Sequence, residues 1–250
     1  MDATNDHGDA QEPFNAQSRG GASSDREQPI RFAGSVLGAQ HHVCVFFHSS
    51  DEEYRVLLPF IKEGFERGEK AFHIVDPTLR EEHLRRVESA GIDVAAAEQS
   101  GQFELRNSAD AYLREGYFDQ DKMLALIQEV LEGGRQQRFP LTRLVAHMEW
   151  AQEDRPGVDD LVEYETRVNY LLPKYKDPVI CVYDLAKFGG DIVVDIMRTH
   201  PMIIIGSILQ ENPFFFRRMC ACGSSANDTL RTTDHTHRLS DEGRGDGEYS

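Results

Sequence analysis

Several segments of the chain carry side chains able to hold a metal ion. In His42-Val-Cys44 the imidazole and the thiol share one face of an extended segment, because successive side chains of a strand alternate. A second cysteine lies in Val179-Ile-Cys-Val-Tyr183, and His200 precedes a further apolar run at 202–205. Imidazole and thiolate bind zinc and other borderline metals, and four such groups from different strands could converge on one ion. No close-spaced Cys-x-x-Cys or His-x-x-x-His pair accompanies them. The competing reading makes Cys44 and Cys181 small core residues, the commonest place for a free cysteine. His42, Cys44, Cys181 and His200 are the metal candidates. Cys220-Ala-Cys222, with His235 and His237 downstream, is a weaker set in a polar tail.

A second kind of chemistry is offered where strands end. Leu141-Thr-Arg-Leu-Val-Ala-His-Met-Glu-Trp150 reads as a buried strand that runs into a polar and aromatic cluster. Glu149 suits a general base or a ligand carboxylate there, and Trp150 an apolar pocket wall. The alternative pairs Glu149 with Arg143 or another arginine and puts Trp150 in the core. Tyr164-Glu165, with Asn169 one helical turn on, supplies a further acid on one helix face, where a solvated surface competes with a ligand role. Nothing resembles a nucleophile elbow, and no Ser/His/Asp set has a motif around it. No catalytic residue is expected.

The elements that must position these groups follow from periodicity. Runs rich in β-branched and aromatic residues at 42–47, 71–75, 103–106, 143–148, 179–183 and 202–205 alternate with helical periods at 51–68, 78–90, 119–133, 158–172 and 190–199. That alternation predicts an α/β fold: a three-layer sandwich with a mostly parallel central sheet. Ligands of such sheets bind beyond the carboxyl ends of the strands. His42, Cys44, His48, Glu149, Trp150 and Tyr183 are expected to line one such crevice, with Glu165, Cys181 and His200 as further ligand-binding candidates.

The loop after the first run, His48-Ser-Ser-Asp51, would be the phosphate-binding loop of a nucleotide-binding sheet, but it has no glycine and no lysine. Ser49 and Glu52, and again Ser50 and Glu53, have capping-box spacing. Asp51, Glu52 and Glu53 complement the positive end of the helix and repel a phosphate. ATP is not an expected cofactor.

Composition narrows the class. With 250 residues and 40% hydrophobic content, the chain supports one good core. A net charge of −16 opposes nucleic acid and anionic membrane as direct partners. The apolar runs are too short to span a bilayer, the N-terminus has no signal-peptide core, and four scattered cysteines suit a reducing, cytoplasmic setting. Residues 1–38 and 223–250 are too polar to offset the entropy of ordering and are expected to be disordered tails. The folded unit is expected at 39–222.

Several stretches, in this order, resemble one known family: His42-Val-Cys44, Phe60-Ile-Lys-Glu-Gly64 with Gly68-Glu69, Gly116-Tyr-Phe-Asp119, His147-Met-Glu-Trp150, Tyr164-Glu165 with Asn169, Cys181-Val-Tyr-Asp184, His200-Pro201 and Asn212-Pro213. The family is MEDS, the methanogen/methylotroph sensory domain also found in the regulator of dichloromethane degradation, and the likeness covers about 40–215. It implies a prokaryotic signalling domain that senses small hydrocarbon derivatives, related to the RecA-like or KaiC-like core. Residues 46–53 then stand at the phosphate loop and 144–149 at the second, acid-bearing nucleotide motif. Members also carry DNA-binding or histidine-kinase modules; no such segment is expected here, so a signalling protein such as a histidine kinase or transcription regulator is the expected partner. A divergent nucleotide-binding protein and a pure interaction module, with Phe214-Phe-Phe-Arg-Arg218 as its contact, are the alternatives.

Overall fold

The computed structural model describes residues 29–216. The remainder of the two tails expected to be disordered, together with Cys220, Cys222, His235 and His237, lies outside the described residues.

Among the described residues, nine strands and seven α-helices follow in chain order. A small hairpin, β1 (Arg31–Phe32) and β2 (Ser35–Val36), leads into β3 (His42–Phe47) and α1 (Ser50–Glu66). Next come β4 (Lys70–Val75), α2 (Arg80–Ser89), α3 (Val94–Ser100), β5 (Phe103–Asn107), α4 (Ser108–Ala111) and α5 (Gln120–Gln136). The chain continues through β6 (Thr142–His147), α6 (Leu161–Leu171), β7 (Val179–Asp184), α7 (Gly190–Met197), β8 (Met202–Ile205) and β9 (Ile208–Glu211).

The main sheet has the order β5-β4-β6-β7-β3-β8-β9, parallel throughout except for the antiparallel β8–β9 edge. Strands β3, β4 and β6 are buried along their whole length, as parallel strands covered on both faces must be. Cys44, Phe46, Leu144, Ala146, Cys181 and Tyr183 point to the side covered by α5, α6 and α7. Val43, Val45, Phe47, Val145, Ile180 and Val182 point to the side covered by α1 and the β1–β2 hairpin. The three-layer expectation and the six expected strands are thus present.

Composition argued for disorder over all of 1–38, and the structure corrects that boundary. Ile30, Phe32 and Leu37 are buried against the α1 layer, and the Phe32 and Phe60 rings lie 4.5 Å apart. Three apolar side chains are few enough to be lost in a polar average, yet they fill the open end of one core layer.

One buried ion-pair set fastens α1 to the sheet. Arg143, at the start of β6, reaches Glu69 and the Phe60 carbonyl, and its Nη2 lies 3.1 Å from Glu63 Oε2. It passes where Gly64 has no side chain; a Cβ there would sit 2.7 Å from Arg143 Cδ. Arg143 is therefore not the partner of Glu149, which lies past the other end of the same strand.

Candidate functional site

The residues singled out by chemistry separate into two clusters on opposite faces of the sheet. The first lies between the sheet and α6, toward the amino ends of the strands. His42 opens β3, Cys181 projects from β7 to the same face, Glu165 comes from α6, and His200 immediately precedes β8. One ligand atom from each of these four lies within 4.8 Å of all the others. Glu165 Oε2 is 3.3 Å from His42 Nε2, 3.5 Å from His200 Nε2 and 3.7 Å from Cys181 Sγ. Cys181 Sγ is 3.6 Å from His42 Nε2.

Surrounding groups settle how each side chain is presented. Asn169 Nδ2 donates to the Glu165 and Thr199 carbonyls, so its Oδ1, 3.1 Å from His42 Nδ1, accepts the imidazole proton. The Thr199 hydroxyl donates to the Ile196 carbonyl, and His200 Nδ1 lies 2.8 Å from that hydroxyl and 3.1 Å from that carbonyl. Both acceptors call for a proton on His200 Nδ1. Each histidine therefore has its Nδ1 tied to an outer acceptor and turns its Nε2 into the cluster, and His200 Nε2 makes no hydrogen bond there. The Tyr183 hydroxyl donates to Glu165 Oε1 at 2.7 Å, which leaves Oε2 to face the other ligands.

The electrostatics follow from complete burial. Desolvation would raise the Glu165 carboxyl, but His42 and the Tyr183 hydroxyl beside it outweigh that and hold it below the usual carboxylate range. Burial, and then the neighbouring His42, pull His200 down to about 3. Burial and the Glu165 charge push the Cys181 thiol well up. Cys44 is the register neighbour of Cys181 but directs its thiol to the Met202 carbonyl at 3.8 Å, outside the converging set.

The second cluster lies at the carboxyl ends of the strands on the α1–α2 side. His147 ends β6 and Glu149 follows it, while Asp184 ends β7 and Lys187 follows that strand. Glu53 comes in from the first turn of α1. His147 Nε2 is 3.5 Å from Glu53 Oε1, and its Nδ1 is 4.0 Å from Glu149 Oε2. Lys187 Nζ is 3.7 Å from Glu149 Oε1 and 3.9 Å from Asp184 Oδ2. These separations exceed hydrogen-bond length, and Glu53 Oε1, Glu149 Oε2 and both His147 ring nitrogens are buried without a hydrogen bond.

Burial, then Glu149 and Asp184, push Glu53 up to about 8. Burial likewise raises Glu149. Burial and Lys187 bring His147 down to about 4. Behind it, the Tyr54 hydroxyl is 2.9 Å from His83 Nδ1, and His83 Nε2 is 2.9 Å from His73 Nδ1, a buried chain that sequence periodicity alone does not reveal.

The single crevice expected from His42, Cys44, His48, Glu149, Trp150 and Tyr183 is therefore not what the structure assembles. Strand alternation puts His42, Cys44 and Tyr183 on the α6 face, whereas Glu149 packs with His147 on the other. Trp150 is fully buried and stacks on Tyr112 at 4.3 Å with Phe118 beside it, so it is core and not a pocket wall. His48 is exposed, and its backbone N–H donates to Glu52 Oε2 at 3.0 Å.

At the phosphate-loop position, Ser49 Oγ accepts from the Glu52 N–H at 3.3 Å, so the first expected capping pair forms. The second does not: Glu53 turns inward to His147. Its signal in the sequence was the surface pattern of three successive acids, which hid an inward-facing one.

A mostly parallel sheet of this order is a RecA/KaiC-like α/β fold, with an acid-capped helix start where a nucleotide-binding sheet carries its glycine-rich loop. The chain belongs to the MEDS family, the methanogen/methylotroph, DcmR sensory domain, whose model matches residues 41–201. A KaiC-like protein from the hyperthermophilic archaeon Pyrococcus horikoshii OT3 is similar in structure at 14% identity, with a TM-score of 0.51 over 70% of this chain and 80% of that one. The flagellar accessory protein FlaH from Methanocaldococcus jannaschii also matches, at 15% identity and a TM-score of 0.41 over 70% and 77% of the two chains. No curated protein matches the sequence. Among the described residues no helix is long and apolar enough to cross a membrane.

Proposed function

We propose that the domain is a cytoplasmic, non-catalytic sensory module. It binds a small, weakly polar organic molecule, a hydrocarbon derivative, beyond the carboxyl ends of β3, β6 and β7. Occupancy passes to a partner protein, a histidine kinase or a transcription regulator. The observation that carries this reading is the set of buried, unpartnered polar atoms of Glu53, His147 and Glu149 at the ligand edge of the sheet. Buried polar groups demand partners, and a ligand with one or two polar handles supplies them. Three acids, Glu53, Glu149 and Asp184, against the one lysine, Lys187, disfavour a polyphosphate at that edge, and family membership supports the sensory role.

Calorimetry with ATP and GTP in the presence of Mg²⁺ should give no saturable heat in the micromolar range. Micromolar binding, with hydrolysis abolished by Glu149→Gln, would instead establish a divergent nucleotide-binding protein. Partner capture from native extract, with and without methanol or dichloromethane as the probe, should differ between the wild type and a folded Glu53→Gln, Glu149→Gln variant. Equal capture in every arm would favour the interaction-module reading. One observation supports that alternative: Phe214 and Phe216 are 65% and 75% exposed.

A further inference from the structure

The first cluster calls for an occupant of a different kind. We infer that His42, Glu165, Cys181 and His200 form a closed site for one divalent transition-metal ion of the zinc class. The site is independent of the crevice, on the opposite face of the sheet.

Geometry is the first support. Bonds of about 2.0–2.3 Å to a tetrahedral zinc place its ligand atoms about 3.3–3.8 Å from one another. Four of the six separations here are 3.3, 3.5, 3.6 and 3.7 Å, and the other two stay within 4.8 Å. Small side-chain movements close the polyhedron.

Presentation is the second. Without an ion, two imidazole nitrogens, a thiol sulfur and a carboxylate oxygen converge inside a space closed to water, and His200 Nε2 is left without a hydrogen bond. A cation supplies bonds to all of them, the unpartnered His200 Nε2 included. Each nitrogen and oxygen ligand is also held from behind: His42 by Asn169, His200 by Thr199 and the Ile196 carbonyl, Glu165 by Tyr183. Outer groups of this kind orient metal ligands and fix their tautomers.

Charge is the third. One thiolate and one carboxylate neutralise a divalent ion, so the filled site buries no net charge. As the metal–sulfur bond forms, the Cys181 thiol proton leaves to solvent. The mixed sulfur, nitrogen and oxygen set selects a borderline metal over magnesium or calcium. With four protein ligands and no open position, the site holds an ion and does not activate water.

The test uses the full-length chain. After growth in zinc-supplemented medium, elemental analysis should find about one zinc per chain. Cobalt(II) should give the visible absorption of a tetrahedral centre and a near-ultraviolet thiolate-to-metal band. Cys181→Ser should remove that band, and Glu165→Gln, isosteric and able to keep its place beside Tyr183, should weaken zinc at least tenfold. Far-ultraviolet circular dichroism confirms folding of each variant. The Cys220→Ser, Cys222→Ser double variant should bind as the wild type does.

The inference is overturned if the wild type takes up no stoichiometric zinc or cobalt. It is equally overturned if the band survives Cys181→Ser, or if binding vanishes in the Cys220, Cys222 variant instead. None of these results touches the crevice, because none of these side chains belongs to it.

Discussion

A carboxyl buried beside other carboxyls keeps its proton, and Glu53 does so at about 8, against an ordinary value of 4.5. The folded chain therefore holds a proton over pH 5–8 that the unfolded chain has released. Stability contributed by Glu53 is full below the unfolded value and is lost as pH rises through about 8, at no more than about 1.4 kcal/mol per pH unit. Glu53→Gln should flatten that slope and leave the variant more stable than the wild type at pH 8 by a few kcal/mol, while the two are similar near pH 5. Urea midpoints at the two pH values decide it; parallel curves for both proteins would show that Glu53 titrates normally. On the other face, Tyr183→Phe deletes the donor to Glu165 Oε1. Loss of a hydrogen bond to a buried carboxylate should cost about 1.5–3 kcal/mol and weaken zinc about 10–100-fold. Chemical denaturation and a competitive chelator titration measure the two effects separately.

At the scale of elements, the joint between α1 and β6 is the most exacting. Arg143 is buried and satisfies Glu69, Glu63 and the Phe60 carbonyl together. Arg143→Ala leaves Glu69 buried and unpaired, which should cost about 3–5 kcal/mol. Converting both partners in Arg143→Met, Glu69→Met should recover much of that loss, as read from the denaturation midpoint. Periodicity made the six parallel strands legible, with β3 and β8 matched end for end, because fully buried strands write their pattern as unbroken apolar runs. The hairpin at 31–36, α3, α4 and β9 were not legible. Each is short, and each owes its form to the larger surface it packs on. Chemistry named His42, Cys181, His200 and Glu165, and strand alternation put His42 and Cys44 on one face. What alternation could not supply was the register and layer that separate Glu149 from them, or the inward turn of Glu53.

Across the whole molecule, the four inferred metal ligands draw on β3, β7, α6 and the segment before β8. An ion that binds only the folded form stabilises by about 2.7 kcal/mol when free metal is 100 times its dissociation constant. Chelation should accordingly lower the thermal midpoint by several degrees, and zinc, but not magnesium, should restore it.

Strand order has a consequence in time as well as in space. β3 pairs His42 with Val179 and Val43 with Met202, so the earliest strand of the main sheet waits for two of the latest. Synthesis runs at about 5–20 residues per second, and throughout that interval both backbone edges of HVCVFF remain open to any other extended chain. Nascent chains arrested before residue 179 should therefore be captured by chaperones or precipitate. Those arrested once 202–205 have cleared the ribosome should resist protease. The edge on which this protein is most open to misassembly is thus one that its finished form buries completely, and it exists only while the chain is being made.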